Sequence, residues 1–206
     1  MLGLRIRAGE LELHGISDDD VVTLLDLARR GIHPPEQMPF STPWTDQPPE
    51  QLPLAFAQYH WGTRAGFRTE AWQLNLAVTW KGKVVGTQGF STTNYLVTRS
   101  GETGSWLGRD HQGLGIGTRM RQALCAFLFD HLDAEEITSS AFVDNAASLG
   151  VSRKVGYRPN GIRRMIRRTG EWQANQMLVL TPNTFVRGPA IDVEGVGPVR
   201  RLIGLD

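Results

Sequence analysis

Cysteine is almost absent from this chain: Cys125 stands alone among 206 residues, which excludes an internal disulfide. Charge of one sign is equally scarce, with 22 Lys and Arg set against 21 Asp and Glu for a formal +1. That balance gives neither nucleic acid nor an anionic membrane a reason to bind, and neither is expected as a partner. No run of about 18 apolar residues exists to span a bilayer. Met1 to Glu10 holds no apolar stretch of the secretory kind, so the chain is read as cytoplasmic. Internal repeats and low-complexity runs are missing as well. No metal-binding cluster stands out, and no metal is expected. What the chain does have is 40% apolar residues over a length suited to one compact domain carrying a tail.

The segment Thr103 to Thr118, TGSWLGRDHQGLGIGT, reads as a strand, a glycine-rich turn and the start of a helix. Trp106 and Leu107 have strand character and Gly108 ends the strand. Gly113, Gly115 and Gly117 then lead into an apolar-periodic run beginning at Leu114. The first turn of a helix presents N–H groups without intrahelical partners, together with the positive end of the helix dipole. Glycine keeps side chains out of the way of a phosphate, so the turn has the makings of an anion cradle. A flexible turn that merely joins two elements has the same composition. Two familiar phosphate motifs do not fit. Thr118 and Arg119 follow Gly117 where a P-loop needs Lys and Ser or Thr, and Thr118 stands where a dinucleotide fingerprint needs its third glycine.

Along the rest of the chain, Leu2 to Ile16 alternates as a strand, and Ser17 with Asp20 opens a helix over Val21 to Arg30 that Gly31 stops. Residues Ile32 to Pro53 are too rich in proline for regular structure. They carry Met38, Phe40 and Trp44, too many apolar side chains for a solvated linker. A second helix follows over Glu50 to Ala65. The loop and this helix are read either as walls of an acceptor site or as packing alone. Ala71 to Trp80 and Val84 to Thr92 form a hairpin through Lys81-Gly82-Lys83, and Thr103 to Leu107 is the next strand. The helix after the glycine turn ends near His131 and encloses Cys125, read as inert core rather than a nucleophile. Ile137 to Val143 is a strand, and Asp144-Asn145 caps a helix from Ala146 to Val155 that Gly156 terminates. Tyr157 begins a return strand. Arg163 to Arg168 and Met177 to Leu180 make a final antiparallel pair across Thr169-Gly170-Glu171. Beyond Thr181-Pro182 the tail shows Ile191, Val193, Val196 and Val199 but no strong pattern. The expected class is α+β, a mixed and mostly antiparallel sheet flanked by helices.

Gln112-x-x-Gly115-x-Gly117 resembles the acyl-CoA pyrophosphate loop of the GCN5-related N-acetyltransferases (GNAT). Asn145, Ser148, Gly156 and Tyr157 in DNAASLGVSRKVGY resemble the Asn-x-x-Ser…Gly-Phe signature of its RimJ/RimL ribosomal-protein branch. The resemblance covers a core of about residues 4–181 within one domain, 1–206, with a tail over about 182–206. It implies a sheet splayed between the strand at Thr103 to Leu107 and the strand at Ile137 to Val143, with acetyl-CoA or another acyl-CoA as co-substrate held in the opening. On that reading the N–H groups of Gln112, Gly113, Leu114, Gly115, Ile116, Gly117 and Thr118 hold the pyrophosphate. The backbone of Trp106 and Leu107 pairs with the pantetheine amides and offers an N–H to the thioester oxygen. Asn145 reaches the pantetheine arm or is a plain N-cap. Arg109, Arg119, Arg153 and Lys154 meet the remaining phosphate charge or form a solvated face.

The implied reaction is direct attack of a neutral primary amine on the thioester, the amine being a protein N-terminus, a lysine or a small molecule. Glu102 is the first candidate for the base, with Glu70 and His111 behind it. Ser148 is the expected acid for the departing thiolate, chosen over Ser152, which stands where many relatives carry tyrosine. The competing class is an acyl-CoA-binding or protein-interaction module that has lost the chemistry. The tail is read either as a route to a homo-oligomer or as a flap on its own chain.

Overall fold

The computed structural model describes residues 3–206. Leu2, included in the first expected strand, lies outside them. What reads as one strand is a hairpin, β1 over Arg5–Ala8 and β2 over Leu11–Gly15, turned at Gly9 with φ +62°. Leu4, Ile6, Ala8, Leu11 and Leu13 all bury on the same face, and the step of three from Ala8 to Leu11 is the mark of the turn. Ser17 and Asp20 form the expected capping box at the start of α1, Asp18–Arg29. Helix α2 spans Leu52–Ala65, beginning just past Glu50, with Pro53 in its first turn.

Strands β3, Ala71–Trp80, and β4, Lys83–Thr93, make the expected hairpin. A short helix α3, Tyr95–Thr98, precedes β5, which starts at Ser100 and runs to Leu107. Helix α4 covers Ile116–His131, so Leu114 stays in the loop and is exposed. Then follow β6, Glu136–Phe142, and α5, Ala146–Val155. The last pair is longer than its sequence pattern shows, with β7 over Arg158–Arg168 and β8 over Glu171–Leu180. The tail contributes β9, Asp192–Glu194, and α6, Val196–Leu202.

Among the described residues nine strands form one sheet in the order β7-β8-β6-β5-β4-β3-β2-β1-β9. All pairs are antiparallel except β5 with β6. That parallel register begins at Ser100 opposite Glu136 and ends at Thr103 opposite Ser139. Beyond it β5 remains paired to β4 as far as Leu107, and β6 remains paired to β8 as far as Phe142. The sheet therefore divides into two halves, and a gap opens between Gly104 to Leu107 and Ser140 to Phe142.

Helix α4 packs on one face of the sheet, with Ile116, Leu124, Phe127 and Leu128 fully buried. Helices α1 and α2 cover the other face through Leu24, Leu27 and Phe56 against Ala77 and Trp106. The tail belongs to the same core: β9 pairs with β1, and Val199 and Ile203 are buried. Burying two aliphatic side chains stabilises by roughly 3–6 kcal/mol. A chain ended near Arg187 is thus expected to unfold at a markedly lower denaturant midpoint. An unchanged midpoint would show that the tail adds nothing to the fold.

Candidate active site

The glycine turn lies at the open end of the gap. Gly113 and Gly115 hold φ of +74° and +79°, and a Cβ at either would meet nothing within 4 Å, so both border open space. Among the described residues, no backbone acceptor meets the N–H groups of residues 113 to 118. These groups, with the first turn of α4 behind them, are the donors an anion requires. Gly117 has a different role, since a Cβ there would lie 3.3 Å from Val151 Cγ2 on α5. Its missing side chain lets α4 and α5 approach. Ile116 is buried and Thr118 half-buried. Gln112 aims its side chain inward, donating from Nε2 to Leu107 O (2.8 Å) and Ile32 O (2.7 Å). It fixes the loop to the end of β5 and contributes shape through its side chain.

Leu107 is buried on the α4 side, and Trp106 faces the other side, where its ring lies 5.7 Å from Trp44 and 6.5 Å from Phe56. The proline-rich loop packs over that face. Arg168 ties it down through Asp46 and Pro35 O, and holds the Asp46 carboxyl below the usual range. Of the four cations weighed for phosphate, Arg119 is stacked over Trp80 at 5.2 Å. Arg109 is exposed beside Gly31. Arg153 and Lys154 are exposed in the last turn of α5, where they complement the helix dipole.

On the α2 side a groove of about 870 Å³ runs past Gln58, Tyr59, Thr63, Gln73 and Ser91 to Glu102. Among its lining residues Glu102 alone is charged. Ser140 donates from Oγ to Glu102 Oε1 at 2.8 Å, so the carboxylate sits at the closed end of the gap. Glu70 and His111 are absent from that lining. His111 follows the opposite end of β5, and five strand residues separate Glu102 from Leu107 by roughly 17 Å. Burial, with Arg64 nearby, depresses His60 on α2 to a pKa of about 4 and leaves it neutral.

On the α5 side Asn145 is the N-cap, its Oδ1 accepting from Ser148 N–H at 3.0 Å. Ser148 is half-buried. Ser152, one turn on, is fully buried, and among the described residues its Oγ has no partner. Tyr157 hydrogen-bonds Thr103 Oγ1 at 2.9 Å, and burial raises its phenol well above the ordinary value. Burial also pushes the Cys125 thiol up to about 11, in keeping with an inert core residue.

Sequence reasoning missed Arg121. It lies in α4 three, four and seven residues before Leu124, Cys125 and Leu128, hence on the buried stripe, and that spacing was the available signal. Its guanidinium reaches Gln88, Ser139 and Ser105.

A sheet split beside a parallel pair, with a glycine turn opening a helix at the mouth of the split, defines an acyl-CoA transferase architecture. The family model described as the acetyltransferase (GNAT) domain matches residues 10–158, and the chain belongs to that family. Its reaction class is acyl-CoA-dependent N-acetyl transfer. Among solved structures it is similar to Mycobacterium smegmatis RimJ in complex with a CoA disulfide. The identity is 19% and the TM-score 0.71, over 88% of this chain and 86% of that one. It is also similar to a RimL ribosomal L7/L12 alpha-N-protein acetyltransferase in complex with coenzyme A, at 19% identity and TM-score 0.68, over 84% and 95% of the two chains. A putative ribosomal-protein-serine acetyltransferase from Vibrio cholerae matches at 19% identity and TM-score 0.67, over 86% and 97%. Among the described residues no helix is long and apolar enough to cross a membrane.

Proposed function

We propose that the chain transfers an acetyl or other short acyl group from CoA to one primary amine at the end of an extended, uncharged acceptor, such as a polypeptide N-terminus. The observation that carries this reading is the gap beyond Thr103 and Ser139, with the glycine cradle at one end and Glu102 at the other. A polyamine would call for several carboxylates, and the groove offers one. The RimJ and RimL relatives support a protein acceptor by kinship of fold.

In this reading the N–H groups of residues 113–118 and the dipole of α4 hold the pyrophosphate, while Gln112, whose own N–H is bonded to Arg109 O, braces the loop in place of the donor role expected for it. The free edge of β5 at Trp106 and Leu107 pairs with the pantetheine amides and directs an N–H at the thioester oxygen, where negative charge grows. Glu102 takes the amine's proton through a chain of waters, since roughly 13 Å of strand separates it from Trp106. Ser148 donates to the departing sulfur, and Asn145 holds the first turn of α5 in place. The enzyme works in the cytoplasm. Val199 and Ile203 of the tail are spent inside the chain while Val186 and Leu202 are exposed, and self-association through the tail would use the outer edge of β9.

Free-thiol release is the test, measured with acetyl-CoA against peptides with free N-termini, lysine peptides and polyamines. Turnover with the peptides is expected. CoA binding without thiol release on any amine would instead make the chain a binding module. Glu102→Gln should lower turnover near pH 7 and recover as pH nears the amine's own pKa, because the amine then arrives neutral. A deficit that persists at high pH would remove Glu102 from the base's role.

A further inference from the structure

Arg121 is 3% exposed, yet among the described residues its partners are neutral. Nε donates to Gln88 Oε1 (3.4 Å), Nη1 to Ser139 Oγ (3.2 Å) and Nη2 to Ser105 Oγ (3.0 Å). A guanidinium has five N–H donors, so these acceptors leave two unused. The Tyr157 ring lies 5.8 Å from the cation. The titratable groups facing it are Cys125 on its own helix and Tyr157 after α5, and burial keeps both neutral. Glu102 lies on the opposite face of β5, bonded to Ser140. A cation held out of water without a counter-ion favours any negative charge that forms beside it.

Position decides which charge that is. Ser139 is the last β6 residue paired to β5, and Ser105 lies two residues past the last paired β5 position, where β6 no longer covers the strand. Ser105 Oγ accepts from Arg121, which leaves its own proton free to donate toward the gap.

We propose that Arg121, acting through the Ser105 hydroxyl, supplies the positive charge that receives the CoA sulfur as a thiolate. The proposal rests on the acyl-CoA reading above. The amine nitrogen bonds to the carbonyl carbon, the C–S bond breaks, and its electron pair leaves on sulfur. The amine's proton goes to Glu102 or water, and the thiolate held beside Ser105 is protonated through Ser148, which recovers its proton from solvent. Arg121 is a positioning residue, because Ser105 stands between it and the sulfur. An acyl chain ending in a carboxylate is a poorer match, since Gln88, Ser105 and Ser139 wall off the guanidinium and it does not line the acceptor groove.

CoA bound to the full chain is titrated by the ultraviolet absorbance of its thiolate. The bound thiol is expected to ionise about one unit or more below the ~8.5 of a free thiol. Ser105→Ala and Arg121→Gln should each return it toward that value, and Arg121→Lys should keep most of the depression. Should Arg121→Gln fail to fold, Ser105→Ala decides alone, since it retains the cation. A bound thiol of ordinary pKa overturns the proposal, as does a depression that Ser105→Ala leaves intact. A change in preference between acetyl-CoA and succinyl-CoA in Arg121→Gln, with the thiol pKa unmoved, overturns it in favour of an acyl carboxylate. Absence of CoA binding overturns the acyl-CoA reading, and this proposal with it.

Discussion

Valine at Gly115 is expected to weaken CoA binding by about a hundredfold or more, close to 2.8 kcal/mol, while the domain stays folded. Gly115 holds φ +79°, and its Cβ would enter open space rather than the protein. The fold therefore bears only the cost of a left-handed β-branched residue, of order 1–3 kcal/mol. The ligand bears more. A branched side chain at the mouth of the cradle displaces the phosphate from N–H donors, each worth about 1.5–3 kcal/mol when the acceptor is charged. Losing one or two of them accounts for the expected effect. Calorimetry with CoA reads it, and circular dichroism confirms folding. Gly117→Ala is the informative contrast: its Cβ would press on Val151, so it should disturb α4 against α5 and lower thermal stability. Unchanged CoA affinity in folded Gly115→Val would remove the phosphate from this turn.

Local chemistry made part of this architecture legible. The Ser17/Asp20 box, the Lys81-Gly82 turn, the Asn145 cap and the left-handed Gly156 are each fixed by neighbours in sequence, and each stands where its pattern places it. The Gly9 turn shows in the sequence only as a slip of the alternation from even positions through Ala8 to odd ones from Leu11, with Gly9-Glu10 in place of an Asn-Gly or Asp-Gly pair to mark it. Helix α3 and the tail were illegible. Tyr95 earns its place by bonding Leu132 O, and Val199 and Ile203 by packing on distant elements, contacts that no window of sequence contains. In the site, the glycines were readable because positive φ leaves a compositional mark. The Ser140 to Glu102 bond and the Arg121 contacts join β5, β6 and α4 across about 16 to 38 positions, so only the fold brings them together.

Ser148→Ala is expected to lower kcat roughly a hundredfold near pH 7, with little change in CoA affinity. Ser148 and Ser152 share one face of α5, four residues apart, and they differ in what surrounds them. Asn145 already caps the Ser148 N–H, so the Ser148 hydroxyl is not needed to finish the helix's first turn. It is half-buried at the end of α5 that follows directly from β6 and the gap. Ser152 is fully enclosed, with an Oγ that meets no partner among the described residues. Thiol chemistry limits the effect. A thiol reference pKa of about 8.5 means the sulfur leaves with modest help, which places the loss at the low end of the ~10²–10⁴ range for general acids. The deficit should shrink as pH rises toward that pKa, because a free thiolate is then no longer penalised. Pre-steady-state thiol release across pH separates the cases. Loss in Ser152→Ala with full turnover in Ser148→Ala moves the donor one helical turn deeper. Full turnover in both leaves the Ser105 hydroxyl and water as the remaining donors to the sulfur.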